Sequence, residues 1–250
     1  MADAEGNGRI KGRKISLGDA HVADFFAGRT QRRDPKNPYV SVIYQDANPE
    51  LALQRDAEEK ALILPKLELR PDSRVLDVGC GIGRWADALQ GRVARYVGVD
   101  FSPEMIALAQ ARHDPAFADF TVMAAQDISA EALGGGFDRA IIAGVFIYMD
   151  DEDIVRCVSG LKGMLAPDSI VYLREPLALE ERLTLNGVWS EELQQHYYAI
   201  YRTRDELTDL LQAGFGAAVA PVFEPLYKDA GLNNRRETQQ FYCLLKDPAS

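Results

Sequence analysis

The stretch Val75-Leu76-Asp77-Val78-Gly79-Cys80-Gly81-Ile82-Gly83-Arg84 decides how this chain folds. Apolar residues around one acid make a short buried strand, and alternating glycines follow it directly. Glycine accepts positive φ and has no Cβ, so the backbone turns sharply and a ligand can approach its N–H groups closely. A strand that passes through such a turn into a helix belongs to an open parallel sheet. Ligands bind such sheets at the carboxyl ends of the central strands.

Outward from the loop, strand-like and helical patterns alternate. Strands are expected at 74–78, 96–99, 120–123, 139–143 and 170–173, and helices at 83–89, 103–111, 151–165 and 204–213. Asn48-Pro49-Glu50 and Ser102-Pro103-Glu104 each place a capping side chain, a proline and an acid at a helix start. Thr203 with Glu206 forms a capping box. Two strand-like runs at 217–223 and 239–245, with no helix between them, predict an antiparallel hairpin at the sheet edge. The fold class is therefore α/β: a Rossmann-like, seven-stranded, mostly parallel sheet with an antiparallel last strand and helices on both faces. Residues 1–38 read as a mobile arm with one short helix near 19–26. Residues 176–202 read as an insertion with a helix near 190–198.

Composition narrows the function. The chain has 250 residues, 47% of them hydrophobic, and a formal net charge of −10. That suits one large globular domain, and its acidic balance argues against a dedicated nucleic-acid binder. Residues 1–33 carry a net +3, so a small basic segment stands on an acidic body. No apolar run is long enough to span a bilayer and no secretory signal opens the chain, which predicts a cytoplasmic protein without membrane contact, monomeric or homodimeric. Three scattered cysteines and three histidines predict neither a disulfide framework nor a metal site.

Two ligands compete for the glycine loop. A dinucleotide pyrophosphate needs G-x-G-x-x-G, but the position of the third glycine is Arg84. Asp77, two residues before Gly79, would repel a pyrophosphate and suits a ligand carrying an ammonium and a sulfonium. These residues point to S-adenosylmethionine over a nicotinamide cofactor. Over roughly residues 48–246 the chain resembles the class I S-adenosylmethionine-dependent methyltransferases, whose acid-x-G-x-G-x-G motif is met by Asp77, Gly79, Gly81 and Gly83. The resemblance implies S-adenosyl-L-methionine as cofactor, S-adenosyl-L-homocysteine as product, and a set of contacts. Asp100, ending the second strand, would accept both ribose hydroxyls, and Phe101 and Ser102 would lie by the adenine. Within Ala125-Gln126-Asp127-Ile128, Asp127 is the favoured contact to the adenine amino group and Gln126 the second. Ala143, ending the fourth strand, would line the methionine side. Arg55 would meet the cofactor carboxylate, and Tyr39 and Tyr44 would sit in a lid segment. The same reading divides the chain into an arm and lid at 1–48 and a methyltransferase domain at 49–250, with 176–202 as the substrate-side insertion.

The acceptor is less legible. Gly144-Val145-Phe146-Ile147-Tyr148 departs from the Asn/Asp-Pro-Pro-aromatic motif of amide and adenine methylators. That favours a small molecule (a sugar, sugar nucleotide or natural-product intermediate) at O or N, with a peptide or protein amine as the alternative. Tyr148 would border the methyl group and His196 is the candidate general base. Tyr39, Arg174, Glu175, Tyr197, Tyr201 and Arg202 are the candidate substrate residues.

Overall fold

The computed structural model describes residues 8–32, 34, 36–43, 48–233 and 235–249. Among them, seven strands form one sheet. Its centre is β2 (Arg74–Val78), flanked by β3 (Arg95–Asp100) and β5 (Phe137–Ala143), with β4 (Ala118–Val122) beyond β3. On the other side lie β6 (Leu165–Ala178), β10 (Thr238–Lys246) and the short edge β9 (Glu224–Pro225). The first five are parallel. The last pairings, β6 with β10 and β10 with β9, are antiparallel. Strands buried on both faces read as continuous apolar runs, as Val75–Val78 does around its acid.

Alternation along the strands sorts side chains into two cores. Leu76, Val78, Ile142 and Leu173 pack with α6 (Asp151–Lys162) and α7 (Arg204–Phe215) through Leu161, Leu211 and Phe215. Val75, Tyr96, Ile141 and Tyr172 face the opposite layer of α2 (Pro49–Ile63), α3 (Arg84–Leu89) and α4 (Pro103–Arg112), through Ile63, Trp85, Leu89 and Ile106. A single turn, α5 (Ala130–Leu133), precedes β5. The predicted caps form: Asn48 accepts from the Leu51 N–H at 3.1 Å, Ser102 from Met105, and Thr203 with Glu206 makes the reciprocal box. These contacts start α2, α4 and α7 where the sequence signals them.

Three expectations are corrected. Residues 217–223 form no strand. Pro221 cannot donate to a ladder, Val222 is 73% exposed, and the edge is only Glu224–Pro225 opposite Tyr242 and Phe241. The 176–202 insertion holds a β-hairpin, β7 (Leu183–Ser190) and β8 (Gln195–Tyr201), where a helix was expected near 190–198. Tyr, Ile, Val and Thr prefer the pleated surface, and Gln194 turns the chain at φ +51°. The described part of the N-terminal arm, residues 8–32, is part of the body. β1 (Gly8–Lys11) pairs with β7 to make a three-stranded sheet, and α1 (Asp19–Thr30) extends four residues past its expected end and packs on β8. Val22 and Leu17 bury against Ile200.

Buried charge fastens this second sheet to the first. Asp151, at the start of α6, takes Arg182 at 2.9 Å and the Arg202 Nε at 2.8 Å, while Arg202 also donates to the Phe146 and Met149 carbonyls at 2.7 Å. Burial pushes the Asp151 carboxyl up, but the two arginines and Lys14 outweigh it and hold it well below the usual carboxylate range. No helix among the described residues is long and apolar enough to cross a membrane.

Candidate active site

The glycine loop follows β2 at the carboxyl edge of the sheet. Gly79 and Gly81 take φ of +71° and +55°. A Cβ on Gly79 would stand 2.4 Å from a Val145 methyl, and one on Gly81 2.6 Å from a Val42 methyl, so neither position admits a side chain. The Gly79 and Cys80 N–H groups donate to the Val99 carbonyl at 2.8 and 2.9 Å, which pins the loop to the next strand. Both glycines border a cavity of about 880 Å³ that runs from this loop to the β7–β8 hairpin. Gly83 lies outside the lining: it packs on His113, whose Nε2 a Cβ would meet at 2.5 Å.

Asp100 ends β3 in the cavity wall. Its two oxygens accept from the Gly81 and Ser102 N–H groups, each at 3.0 Å. Burial raises the carboxyl to about 6, against the lowering effect of those two N–H groups. Asp77 is placed differently from its expected role. Two residues after Val75, it shares that residue's face and lies beneath the loop, 2% exposed, accepting from the Tyr96 hydroxyl. Burial raises it to about 7, with Tyr96 and Arg84 opposing. It is held by Tyr96 and is not part of the cavity wall.

Phe101, Gln126 and Ala143 line the cavity. The order within the third motif is reversed: Gln126 lines the cavity, Asp127 is exposed outside it, and Ile128 is buried in the core. Ser102 also lies outside the lining, its hydroxyl occupied as the cap of α4 and by Glu104 at 2.8 Å. Arg55 lines the cavity, donating to the Leu232 carbonyl with its guanidinium 5.9 Å above Tyr227. Tyr44 lies outside the described residues. Tyr39 is turned away: its hydroxyl donates to Asp87 at 2.8 Å, and Val42 and Ile43 of the same segment reach the cavity in its place.

At the far end, Tyr148, Tyr197 and Tyr201 all line the cavity, with the Tyr148 and Tyr197 hydroxyls 3.1 Å apart. Val22 and Phe26 of α1 cover this region, Phe26 standing edge-on to Phe101 and Tyr148 at 5.4 and 5.0 Å. His196 precedes Tyr197 on β8 and so points to the opposite face. It is exposed, its Nδ1 is 2.9 Å from the Gly187 carbonyl, and it lies outside the lining. This position does not suit a base acting in the cavity.

Alternation also separates Arg174 from Glu175. Arg174 lines the cavity and its Nε donates to Glu59 at 3.2 Å. Glu175 is 2% exposed on the other face, where one oxygen accepts from the Val145 and Phe146 N–H groups at 2.8 and 3.0 Å. It shapes the loop after β5 and, like Arg202, does not reach the cavity.

A charged cluster in the wall escaped the sequence reading. Arg84 pairs with Asp56 at 2.6 Å and Glu59 at 2.9 Å, and Tyr172 donates to Glu59 at 2.8 Å. Burial pushes Glu59 up, but Arg174 and Arg84 hold it down to about 2. Helical spacing of Asp56 and Glu59 on α2 is the signal they left, since residues three apart share a face.

Residues 75–168 match the family model described as a methyltransferase domain. The chain is 25% identical over 188 residues to a ubiquinone biosynthesis O-methyltransferase of Xanthomonas campestris pv. campestris, covering 70% of this chain and 77% of that protein. It is 33% identical over 121 residues to a magnesium-protoporphyrin O-methyltransferase of Rhodobacter capsulatus, covering 47% and 52%. Its fold is similar to that of a Haemonchus contortus phosphoethanolamine N-methyltransferase solved with phosphoethanolamine and S-adenosylhomocysteine. There the TM-score is 0.65 and the identity 18%, over 91% of this chain and 48% of that one. Fold, glycine loop and domain match together define a class I methyltransferase. The protein is an S-adenosylmethionine-dependent methyltransferase, and the nicotinamide alternative is set aside.

Proposed function

We propose that the enzyme methylates a small molecule at oxygen or nitrogen. The observation that carries this reading is the cavity: about 880 Å³, floored by the glycine loop and roofed by α1, with aromatic walls. That volume falls in the usual range for small-ligand sites, and Val22 and Phe26 of α1 cover part of it. The names of the relatives, which concern ubiquinone, magnesium protoporphyrin and phosphoethanolamine, agree with a small acceptor.

The bound cofactor supplies a methyl group already activated on a sulfonium, so positioning and water exclusion are the protein's main contribution. The residues fit such a ligand. The cradle at Gly79 and Gly81 has no room for side chains, Asp100 offers a carboxylate at the strand end, and Gln126 has both donor and acceptor atoms. In this reading Asp100 holds the ribose hydroxyls, Gln126 the adenine edge, Phe101 the adenine face and Arg55 the carboxylate. Tyr148, backed by Tyr197, orients the acceptor, its hydroxyl taking a hydrogen bond from the acceptor O–H or N–H. Phe26 keeps water out.

The test uses S-adenosylmethionine labelled in its methyl group, with the full chain and a cell extract separated by size. Label is expected in the small-molecule fraction. Label confined to the protein fraction would transfer the reading to a peptide or protein amine.

A further inference from the structure

The acceptor end of the cavity gathers cations from opposite ends of the chain. Arg9 comes from β1, and Arg235 and Arg236 lie just before β10; all three line the cavity. Pairing of β1 with β7 brings this about: Arg9 stands opposite Leu185 and Lys11 opposite Leu183, which in turn faces Tyr201 on β8. Tyr201 lines the same wall. Burial and a hydrogen bond with Tyr197 keep its hydroxyl protonated, and Arg235 and Arg9 act against them, so both guanidiniums lie within electrostatic reach.

Two carboxylates at this rim, Glu237 and Glu192, hold Arg9 and Arg235 in place. Glu237 pairs with Arg9 and, at 2.9 Å, with Lys11; Glu192 pairs with Arg235 at 2.6 Å; Glu191 accepts from Gln194 at 3.2 Å. A guanidinium has five N–H donors, so one carboxylate contact fixes its orientation and leaves most donors for a ligand. Arg9, Arg235 and Arg236 thus share this end of the lining with Glu191, Glu192 and Glu237, an arrangement that orients guanidiniums toward the cavity without a net excess of charge.

We propose that the acceptor is an anion, its carboxylate or phosphoryl group held by Arg9, Arg235, Arg236 and the Tyr201 hydroxyl, with its reacting end at Tyr148. The proposal rests on the small-molecule reading above. Tyr197 lies between the two ends, hydrogen-bonded toward both Tyr148 and Tyr201, so one wall spans from the anion to the reacting atom.

The experiment is calorimetry on the full chain with phenyl phosphate, benzoate, inorganic phosphate and uncharged phenol, with and without S-adenosylhomocysteine. A charged probe is expected to bind about tenfold or more tighter than phenol. Arg9→Gln and Arg235→Gln should each weaken it by about threefold or more, and Arg235→Lys should restore part of the loss. Preference for phenyl phosphate over benzoate assigns a phosphoryl group, the reverse a carboxylate, and inorganic phosphate tests the anion without its aromatic part. Phenol binding as tightly as both anions overturns the proposal. So does a charged probe indifferent to both glutamine variants. An Arg235→Gln variant that loses S-adenosylhomocysteine as strongly as the probe also overturns it, since the arginine then serves the cofactor carboxylate. A wild-type chain that binds no S-adenosylhomocysteine breaks the cofactor reading instead, while the cofactor-free titrations still decide this one.

Discussion

The two ends of the cavity are built in different ways. At the cofactor end, Gly79, Gly81 and Asp100 sit where two adjacent parallel strands stop, and backbone N–H groups join them about twenty residues of sequence apart, Gly79 to the Val99 carbonyl and Gly81 to the Asp100 carboxylate. The acceptor end joins residue 9, the 183–201 hairpin and residues 235–237, and it depends on side chains. Its attachment to the main sheet runs through Asp151 and two buried arginines. The contrast shows how one sheet edge can keep a common cofactor while the wall opposite it changes: the first end is fixed by strand geometry, the second by removable contacts.

The largest expected effect tests that attachment. Asp151→Ala leaves Arg182 and Arg202 buried without their shared carboxylate, which should cost about 3–5 kcal/mol in chemical denaturation. The fraction still folded should bind S-adenosylhomocysteine normally; loss of that affinity would mean the two ends are not separable. Next, Asp100→Ala should weaken S-adenosylhomocysteine by about 1–3 kcal/mol in calorimetry, with acceptor-end probes unaffected. Unchanged cofactor affinity would remove Asp100 from the site.

Acidity sharpens the same contrast. Asp100 is raised to about 6 and must be ionised to accept two hydroxyls well, so cofactor affinity should fall by about tenfold per pH unit below that value. For the cofactor-free protein the sign reverses. Asp77 and Asp100, raised to about 7 and about 6, bind protons more tightly folded than unfolded. Their contribution to stability is therefore present at low pH and lost as pH rises from about 4 to 7. Glu59 is held down to about 2, so its contribution is present above the ordinary carboxylate range and lost only as pH falls through about 2. Melting temperatures across pH 4–8 with and without S-adenosylhomocysteine check the two aspartates, and extending the cofactor-free series to pH 2 checks Glu59. The smallest effect is expected at His196→Ala, within about twofold of wild-type turnover, because its ring faces away from the cavity. A loss like that of Tyr148→Phe would restore the histidine as a catalytic group.

The cofactor end was legible because its determinants are local. A strand, a glycine turn and an acid at the next strand end each have a period or a dihedral requirement that a short stretch reveals. Even there, reading stopped at which way a side chain points. Asp77 and Asp100 look alike in the sequence, and alternation with the parallel register gives them one face of the sheet, but Asp77 lies within its strand against the Tyr96 hydroxyl while Asp100 is the last residue of its strand and stands in the wall. The same alternation parts Arg174 from Glu175 and Tyr197 from His196.

By itself, the sequence determined the parallel sheet, its helix starts and the cofactor loop, since hydrophobic period, caps and glycines act within a few residues. Only the tertiary structure decided that residues 8–11 are a strand and 19–30 a roof helix, that the insertion is a hairpin, and that Arg9, Arg235 and Tyr201 line one cavity. The first and last of these depend on partners more than a hundred residues apart, and the hairpin, though local, is extended by the distant β1. A strand edge shows its neighbour's identity only after the chain has closed upon it.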